Sequence, residues 1–476
     1  TWYASTYYDG SSYASILVKT REARPIFIKG NKHFGITKGS VTPPIIASVL
    51  GVYDSERIKT PLKAGKKSSW MSVDKEISSA IRNGNKVALI SSTVISPSTL
   101  SAISELGSAV KGEFEHIQYD AISYSALREA QAASFGVNAV PHYDFSKAKV
   151  VVSIAADFLN SWLTSTQFAP DYASLRNPNS GSQSKHFQFE SVMSMTGTNA
   201  DVRTMISPSE EGKVAAGILA VLRGGSVSNL ETKISSRVKA AANALLDSKG
   251  TSLLIAGSND LSTQTIVAAI NQLLGNYGTT IDLERPSQAF RGDESAATQL
   301  IADMNSGKVS TLITYGCNPS YDMPNAQAFN SGLAKVATSV SMNGVADETA
   351  SRSTFVAPDH HYLESWNDLS LRAGRIDLVQ PTIEPLFKTR AAQESFLVWS
   401  NAENSDWYTF LRSQYNGAYT LDALYSDSDW NSAIHDGNMA GNDVSESPNY
   451  TALIETSLAE RKVSQVKGGN MELVTY

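Results

Sequence analysis

The alternation of hydrophobic and polar positions near the start of the chain predicts a β-hairpin. Residues 13–19 alternate and are rich in Ile, Leu and Val, and residues 25–29 return as a second strand after a short polar turn. A helix is predicted over residues 72–81. Together these elements predict a small β-rich N-terminal domain over residues 1–84.

Two series of alternating strands and helices follow this domain. The first has predicted strands at 86–91, 114–119, 150–155 and 187–195, and helices at 97–110, 124–135 and 207–222. The second has predicted strands at 252–256, 310–315, 336–342 and 354–357, and helices at 262–274 and 296–305. Such alternation is typical of parallel sheets with helices on both faces. The predicted fold is therefore α/β, with two doubly wound Rossmann-like domains over residues 85–235 and 236–400.

The helix at 207–222 carries its own start signal. Ser207 fits the capping position, Pro208 fits the first helical position, and Glu210 is placed to reach back to the cap. We therefore predict a capping box at the beginning of this helix.

Residues 401–476 have a different composition and are predicted to form an acidic, aromatic-rich extension leading to a domain that this chain does not contain. The aromatic residues are Trp407, Tyr408, Phe410, Tyr415, Tyr419, Tyr425 and Trp430. One interpretation is that they pack back onto the core. The other is that they anchor an interface with a partner.

Composition and charge exclude some classes of protein. The chain is 42% hydrophobic and 18% charged, which fits a folded protein, and its net charge of −6 argues against nucleic acid as the main partner. Residues 1–70 are rich in Lys and Arg, whereas residues 400–450 are rich in Asp and Glu. These segments form either solvated surfaces or faces of a larger assembly. Since the chain does not begin with Met, we expect the true N-terminus, and any export signal, to be missing.

Cys317 is the single cysteine of the sequence. Iron–sulfur clusters normally take four thiolate ligands, so this chain alone cannot hold one in the usual way. One thiol also cannot form an internal disulfide or a cysteine-based zinc site. We expect Cys317 to be a small core residue; the alternative is a redox thiol or a metal ligand.

Other candidate chemistry is sparse, and we predict no catalytic, cofactor-binding or metal-binding residues. His360, His361 and Glu364 are close in sequence, but adjacent histidines point in different directions, which favours a hydrogen-bonded loop over a metal site. The segment 347–349 either holds the polar edge of a ligand or caps a helix. Glycine-rich dinucleotide and phosphate loops and a nucleophile elbow are not found in the sequence.

Several segments, read in order over roughly residues 1–400, resemble the molybdopterin oxidoreductase superfamily. The resemblance is carried by the segments Pro25–Asn31, Thr37–Gly39, Tyr53–Leu62, Thr314–Pro319, Asp347–Ala350 and Val356–Glu364, followed by Gln380–Pro381, Pro385–Leu386 and Thr389–Arg390. The resemblance implies an N-terminal cluster domain and two α/β domains, and in the superfamily these hold an iron–sulfur cluster and a metal–pterin cofactor.

The departures from the superfamily pattern indicate a branch without cofactors. Residues 1–10, where the superfamily carries cluster cysteines, contain none. In the region before residue 150, where the superfamily's molybdenum ligand is expected, Ser123, Ser125 and Ser134 are available. Residues 3–22 resemble the start of the B subunit of alternative complex III, a bacterial quinol:electron acceptor oxidoreductase. That resemblance implies a cofactor-free half.

Three hypotheses follow from the sequence. The first is a cofactor-free scaffold on the periplasmic side of a bacterial membrane complex, with a multihaem cytochrome c, an iron–sulfur domain, quinol-binding membrane subunits and a terminal oxidase as its partners. The second is a catalytic subunit of a molybdenum or tungsten bis-pterin oxidoreductase with serine as the metal ligand. The third is a sugar- or nucleotide-binding α/β protein unrelated to respiration.

Overall fold

A computed structural model of the chain describes residues 1–180, 183–415, 427–451 and 471–474. The strands of the described part are, in chain order, β1 Trp2–Tyr8, β2 Tyr13–Arg21, β3 Arg24–Gly30, β4 Leu62–Lys63, β5 Lys66–Lys67, β6 Lys86–Ser91, β7 Glu113–Gln118, β8 Val140–Tyr143, β9 Val150–Ile154, β10 Lys185–Glu190, β11 Val202–Met205, β12 Ser252–Ala256, β13 Ile281–Ser287, β14 Thr311–Tyr315, β15 Thr338–Ser341, β16 Phe355–Val356, β17 Asn367–Leu369, β18 Arg375–Val379 and β19 Asn438–Ala440. The predicted hairpin is confirmed as β2 and β3, which pair antiparallel.

The helices alternate with these strands through most of the chain. They are α1 Pro43–Ala47, α2 Trp70–Asn83, α3 Pro97–Ser108, α4 Ser125–Phe135, α5 Ser165–Ser174, α6 Met195–Thr198, α7 Glu211–Leu222, α8 Thr232–Asp247, α9 Leu261–Leu273, α10 Glu294–Asn305, α11 Pro319–Asp322, α12 Ala326–Leu333, α13 Ala392–Ser400, α14 Trp407–Ser413 and α15 Asp427–Asp436. Short 3-10 helices lie at Ser48–Tyr53, Phe145–Lys147, Pro178–Ser180, Pro208–Glu210, Ala350–Arg352 and Tyr362–Glu364. The capping box predicted at Ser207 is confirmed.

The chain folds into two compact units, each discontinuous in sequence. Unit 1 comprises Thr1–Ser123 and Ala289–Asp443, and unit 2 comprises Tyr124–Gln288 and Val444–Tyr476. The sequence predicts domain boundaries after residues 84, 235 and 400, and the two compact units are divided after residues 123, 288 and 443.

The pairing of strands explains this difference. β6 and β7 pair with each other, and β6 also pairs in parallel with β14, so that Val87 lies opposite Thr311. β12, from the second predicted series, pairs instead with β9 of the first. Because parallel partners come from distant parts of the chain, the order of strands in the sequence does not reveal which sheet each one joins.

Unit 1 is built around a seven-stranded mixed sheet in the order β5-β4-β16-β15-β14-β6-β7. The strands from β16 to β7 are parallel, and β4 and β5 extend one edge in antiparallel fashion. Two three-stranded antiparallel sheets, β1-β2-β3 and β17-β18-β19, complete the unit. On one face of β6, Ala88 and Ile90 pack against α10 and α12. On the opposite face, Val87 and Leu89 pack in a core with α2, α3 and α13.

The larger core of unit 1 includes aromatic side chains from the end of the chain. Trp407, Tyr415 and Trp430 are buried together with Trp399 and Phe396. This burial supports the interpretation that these aromatic residues pack back onto the core. Tyr419 and Tyr425 lie outside the described residues.

Unit 2 contains a four-stranded parallel sheet in the order β11-β10-β9-β12 and a two-stranded antiparallel sheet of β13 and β8. The central strands β9 and β12 are continuously apolar, as expected where helices cover both sheet faces. α7, α8 and α9 supply most of the side chains packed on this sheet. The described helices include none with the length and hydropathy that crossing a bilayer requires.

Candidate functional site

The candidate site lies in unit 1, at the carboxyl ends of two neighbouring parallel strands. From β6 the chain proceeds to β7 on one side, whereas β14 pairs with β6 on the other side. The sheet therefore reverses its winding direction between β6 and β14, and in open α/β sheets ligands bind beside such a point. A cavity of about 230 Å³ lies there, lined by residues 92–96 after β6 and by Tyr315 and Gly316 at the end of β14.

Other elements of unit 1 close the remaining walls of this cavity. Residues Thr6, Tyr8, Asp9 and Gly10 come from β1 and the turn that follows it, and a second wall comes from residues 359–369. The Tyr8 hydroxyl donates to the backbone oxygen of Thr93 (3.0 Å), which joins the β1 wall to the loop after β6. The sequence prediction missed this site because its walls come from segments more than 300 residues apart.

Asp359 is a carboxylic acid in the cavity wall whose acid–base chemistry is strongly perturbed. Its Oδ1 accepts hydrogen bonds from the amides of His360 (2.7 Å) and Ala392 (2.9 Å), the latter at the start of α13. Its Oδ2 has no hydrogen-bond partner among the described residues. Burial raises the pKa of Asp359 to about 7. One oxygen is therefore structural, and the other remains available at the cavity.

His360 adjoins this carboxylate and also lines the cavity. Its Nδ1 lies 2.7 Å from the Thr389 hydroxyl, and burial lowers the pKa of the imidazole. His361 instead caps the 3-10 helix that follows it, by accepting a hydrogen bond from the Leu363 amide (3.3 Å), and Glu364 completes this capping box. The two histidines thus have separate partners, and the described residues contain no cluster suited to a metal ion.

The side chain of Asp368 binds the N-terminus of α3, the helix that follows β6. This fully buried carboxylate accepts hydrogen bonds from the hydroxyls of Ser96 and Ser98 (2.5 Å each). It also accepts from the Ser98 amide, at 3.3 Å to each oxygen, and from the Tyr415 hydroxyl. A carboxylate at this position is stabilised by the positive end of the helix dipole.

The other amides at the start of α3 are also satisfied. Pro97 has no N–H, and the amides of Thr99 (2.9 Å) and Leu100 (3.0 Å) donate to the side-chain and backbone oxygens of the capping serine. Helix N-termini bind phosphate through such amides when they are free. At α3 the protein's own carboxylate takes that place. Sequence reasoning missed Asp368 because this cap comes from about 270 residues further along the chain.

Two segments that carry the resemblance meet in a buried ion pair. Arg57 and Glu364 form a double hydrogen bond, at 2.9 Å and 2.6 Å, and both side chains are buried. Burial favours the neutral acid, but the hydrogen bonds and charge of Arg57, together with hydrogen bonds from the amides of Leu386 and His361, hold the pKa of Glu364 below its usual range. The amide of Leu386 also donates to Glu364 (3.1 Å). This pair joins the segment after α1 to the cavity wall.

A second meeting of these segments lies beside Cys317. The Asn318 side chain accepts a hydrogen bond from the Thr349 hydroxyl (2.7 Å) and donates to Glu348 (2.7 Å). Asp347 accepts a hydrogen bond from the amide of Ala350 (2.7 Å), the first residue of a 3-10 helix. Segment 347–349 therefore stabilises the turn after β14 instead of facing the cavity.

Cys317 is half-buried, with its Sγ 3.5 Å from the backbone oxygen of Ile90. Burial raises the pKa of this thiol, which disfavours the reactive thiolate. The environment fits the expected small core residue.

The three serines considered as metal ligands are not brought together at the cavity. The Ser123 hydroxyl donates to Glu294, and Ser125 begins α4. Ser134 is buried on α4, and its hydroxyl has no hydrogen-bond partner in the described part of the chain. None of the three is among the described residues that line the cavity.

The N-terminal hairpin and the cavity of unit 1 lack features that the cofactors of the superfamily would need. The hairpin of β1 and β2 offers no thiolate for a cluster. At about 230 Å³ the cavity is smaller than the roughly 300 Å³ at which ligand pockets usually begin. A pterin dinucleotide also carries a pyrophosphate, and the α3 amides that could bind it are engaged. Within unit 1, the cavity therefore does not accommodate such a cofactor.

Comparison with known proteins places this geometry in context. No protein-family model matches the chain. It is 25% identical over 431 residues to the menaquinone reductase, molybdopterin-binding-like subunit, of Nitratidesulfovibrio vulgaris, and the match covers 80% of this chain. The chain spans 62% of the length of that relative.

The fold is similar to that of acetylene hydratase from Pelobacter acetylenicus. The TM-score is 0.69 at 12% sequence identity, and the match covers 90% of this chain and 73% of that one. The two comparisons confirm the resemblance to molybdopterin oxidoreductases, and the second concerns the fold alone.

Proposed function

We propose that this chain is a structural, cofactor-free part of a respiratory quinone oxidoreductase, on the periplasmic side of a bacterial membrane. The observation that carries the proposal is a molybdopterin-enzyme fold in a chain with a single, half-buried thiol. Iron–sulfur electron carriers normally need four thiolate ligands, and the sequence has one cysteine. The relative's name, which refers to menaquinone reductase, supports the connection with quinone chemistry.

The scaffold role has a physical rationale in the buried contacts of unit 1. Electron transfer between centres requires fixed spacing, so a part that only positions its neighbours must be rigid. The buried Arg57–Glu364 pair and the partly buried Asn318–Thr349 contact link separate segments through hydrogen bonds.

The proposed partners are those implied by the resemblance. They are an iron–sulfur domain, a multihaem cytochrome c, quinol-binding membrane subunits and a terminal oxidase. A tag on this chain, used to purify it from solubilised membranes of its source, should retrieve haem c and acid-labile sulfide together with it. Retrieval of the chain without either would contradict its place in such a complex.

The direct test is the metal and pterin content of the purified chain. We expect iron, molybdenum and tungsten far below one atom per chain by mass spectrometry, and no fluorescent pterin after oxidative extraction. A cofactor-bearing molybdopterin enzyme purified from the same host is the control for cofactor supply. Stoichiometric molybdenum or tungsten with pterin would establish the catalytic alternative instead.

A further inference from the structure

The charged residues that line the cavity beside β6 and β14 indicate whether a cation or an anion would bind there. Two carboxylates, Asp9 and Asp359, are among the residues that line it, and no lysine or arginine is found among the described lining residues. Arg291 comes near, since its amide donates to the Thr93 hydroxyl (2.7 Å), but it is not a lining residue. The lining therefore favours positive over negative charge in a bound molecule.

A helix N-terminus lies beside this cavity and could attract an anion, but it is already occupied. The N-terminus of α3 holds the Asp368 carboxylate, and its early amides are bonded within the protein. A phosphorylated or carboxylated ligand would meet Asp359 and Asp9 without a cation to neutralise them. Placing an unpaired negative charge beside other carboxylates in a partly buried cavity is unfavourable.

Aromatic rings supply the rest of the recognition surface. Tyr8, Tyr315, Tyr362 and Trp366 all line the cavity. The faces of aromatic rings attract cations, most strongly when water is excluded, and sites for ammonium groups combine such rings with a carboxylate. The free Oδ2 of Asp359 supplies the carboxylate oxygen in this cavity.

We propose that this cavity binds a small organic cation bearing an ammonium group, held by Asp359 and the surrounding aromatic rings. The volume of about 230 Å³ limits the ligand to a small molecule. This binding site is separate from the proposed scaffold role, because it requires no partner subunit and no redox centre.

The charges around Asp359 predict how binding depends on pH. Besides the neighbouring His360, they are the Arg57–Glu364 pair, whose opposite charges act on Asp359 in opposite directions, and the buried phenol of Tyr315. Burial raises the pKa of Asp359 to about 7. A cation binds the ionised carboxylate, so affinity should fall as the pH drops below this value.

The test uses three molecules of nearly the same shape that differ in charge. Choline is a cation, 3,3-dimethyl-1-butanol is its neutral isostere, and 3,3-dimethylbutanoate is an anion of similar bulk. We expect calorimetric titration of the full chain at pH 8 to show choline binding about ten-fold or more tighter than the alcohol, and no binding of the anion. Choline affinity should be weaker at pH 6 than at pH 8.

Variants then locate the bound cation. Asp359→Asn should weaken choline binding about ten-fold, since it removes the charge and keeps an acceptor for the amides of His360 and Ala392. Asp347→Asn is the matched control, because Asp347 is also half-buried and accepts a hydrogen bond from a backbone amide but does not line the cavity. Circular dichroism and thermal melting establish that both variants are folded.

Four outcomes would overturn the proposal: no choline binding at millimolar concentration, equal binding of the alcohol, preferred binding of the anion or of inorganic pyrophosphate, or unchanged choline affinity in folded Asp359→Asn. Each is distinct from failure of the scaffold proposal, which the metal and pterin content decides. A chain that carries molybdenum and still prefers choline would overturn the scaffold role alone.

Discussion

Units 1 and 2 each contain a doubly wound sheet, in which the winding direction reverses between two neighbouring strands. The space beside that reversal is open in unit 1 and filled in unit 2. In unit 1 this point lies between β6 and β14 and opens into the cavity. In unit 2 it lies between β9 and β12, where the amide of Gly257 donates to the backbone oxygen of Ile154 (2.8 Å). A Cβ atom at Gly257 would lie 2.2 Å from the oxygen of Ala155.

The closure in unit 2 is reinforced by a side chain. Gln264 donates from α9 to the backbone oxygens of Ala256 (3.0 Å) and Ser258 (2.6 Å), the residues on either side of Gly257. Backbone thus contacts backbone where a ligand would otherwise lie. The same topology therefore yields an open site or a closed one, depending on the few residues that follow the strands.

The units also differ in how their cores are assembled. The main core of unit 2 draws on residues between Val150 and Leu274, whereas that of unit 1 draws on residues between Val73 and Met439. Unit 1 thus depends on its last helices, and unit 2 on contacts closer in sequence. Four changes test these differences.

The largest expected effect comes from Trp430→Ala. Trp430 is 2% exposed and donates from Nε1 to the Tyr408 hydroxyl (3.1 Å), so its removal leaves a cavity and an unpaired hydroxyl in the core of unit 1. We expect a loss of about 3–5 kcal/mol in the free energy of unfolding. Urea denaturation measures this, with hydrogen exchange showing which unit is affected. Trp2→Ala is the control, since Trp2 is 40% exposed, and an equal loss in both variants would contradict the role of Trp430 in the core.

Gly257→Ala should act on unit 2 instead. The added methyl group meets the backbone of Ala155 and Ala156, which cannot move without breaking the pairing of β9 with β12. We expect a destabilisation of about 3 kcal/mol, seen as faster hydrogen exchange in β9 and β12. At Gly344 the nearest atom to an added Cβ is 3.7 Å away, so Gly344→Ala serves as the control. If the two variants are equally stable, the backbone does not fill the space between the ends of β9 and β12 at Gly257.

Asp359→Asn should change how stability depends on pH. The pKa of Asp359 is raised to about 7 in the folded chain, against roughly 3.9 in the unfolded chain, so the folded state binds the proton more tightly. This contribution is fully present below pH 4 and is lost as the pH rises from about 4 to about 7. The wild type should therefore lose about 1–2 kcal/mol relative to the variant over that window.

Urea midpoints at pH 5 and pH 8 measure this difference. The exposed residue Asp54 provides the control variant Asp54→Asn. If the urea midpoints of the wild type and of Asp359→Asn change equally between the two pH values, the cavity of unit 1 does not raise the pKa of Asp359.

The smallest effect concerns Cys317, beside the end of β14. Because burial raises the pKa of the thiol, iodoacetamide at pH 8 should modify it about ten-fold more slowly in the folded chain than in urea. Cys317→Ser should change the free energy of unfolding by less than about 1 kcal/mol. Equal modification rates in the folded and unfolded chain would show an exposed, reactive thiol.

Local sequence signals predicted much of the secondary structure. The hairpin, the apolar strand β9 and the capping box at Ser207 follow from alternation, hydrophobic runs and capping chemistry, which act within a few residues. The helices α4 and α9 agree with their predicted ranges to within one residue at each end. The sequence analysis missed helix α8, because its first turn is polar and resembles a loop. It also missed strand β1, because the alternation in this strand includes serine and threonine and resembles a loop.

The sequence by itself determined the α/β class, the scarcity of sulfur ligands and the resemblance to molybdopterin oxidoreductases, since each depends on residue types and their local order. Only the tertiary structure decided that β12 pairs with β9 and that Asp368 binds the N-terminus of α3. It also decided that the space where the winding of the sheet reverses is open in unit 1 and filled in unit 2. The physical reason is that parallel pairing, helix capping from a distant strand and the space left beside a sheet are set by contacts between residues hundreds of positions apart.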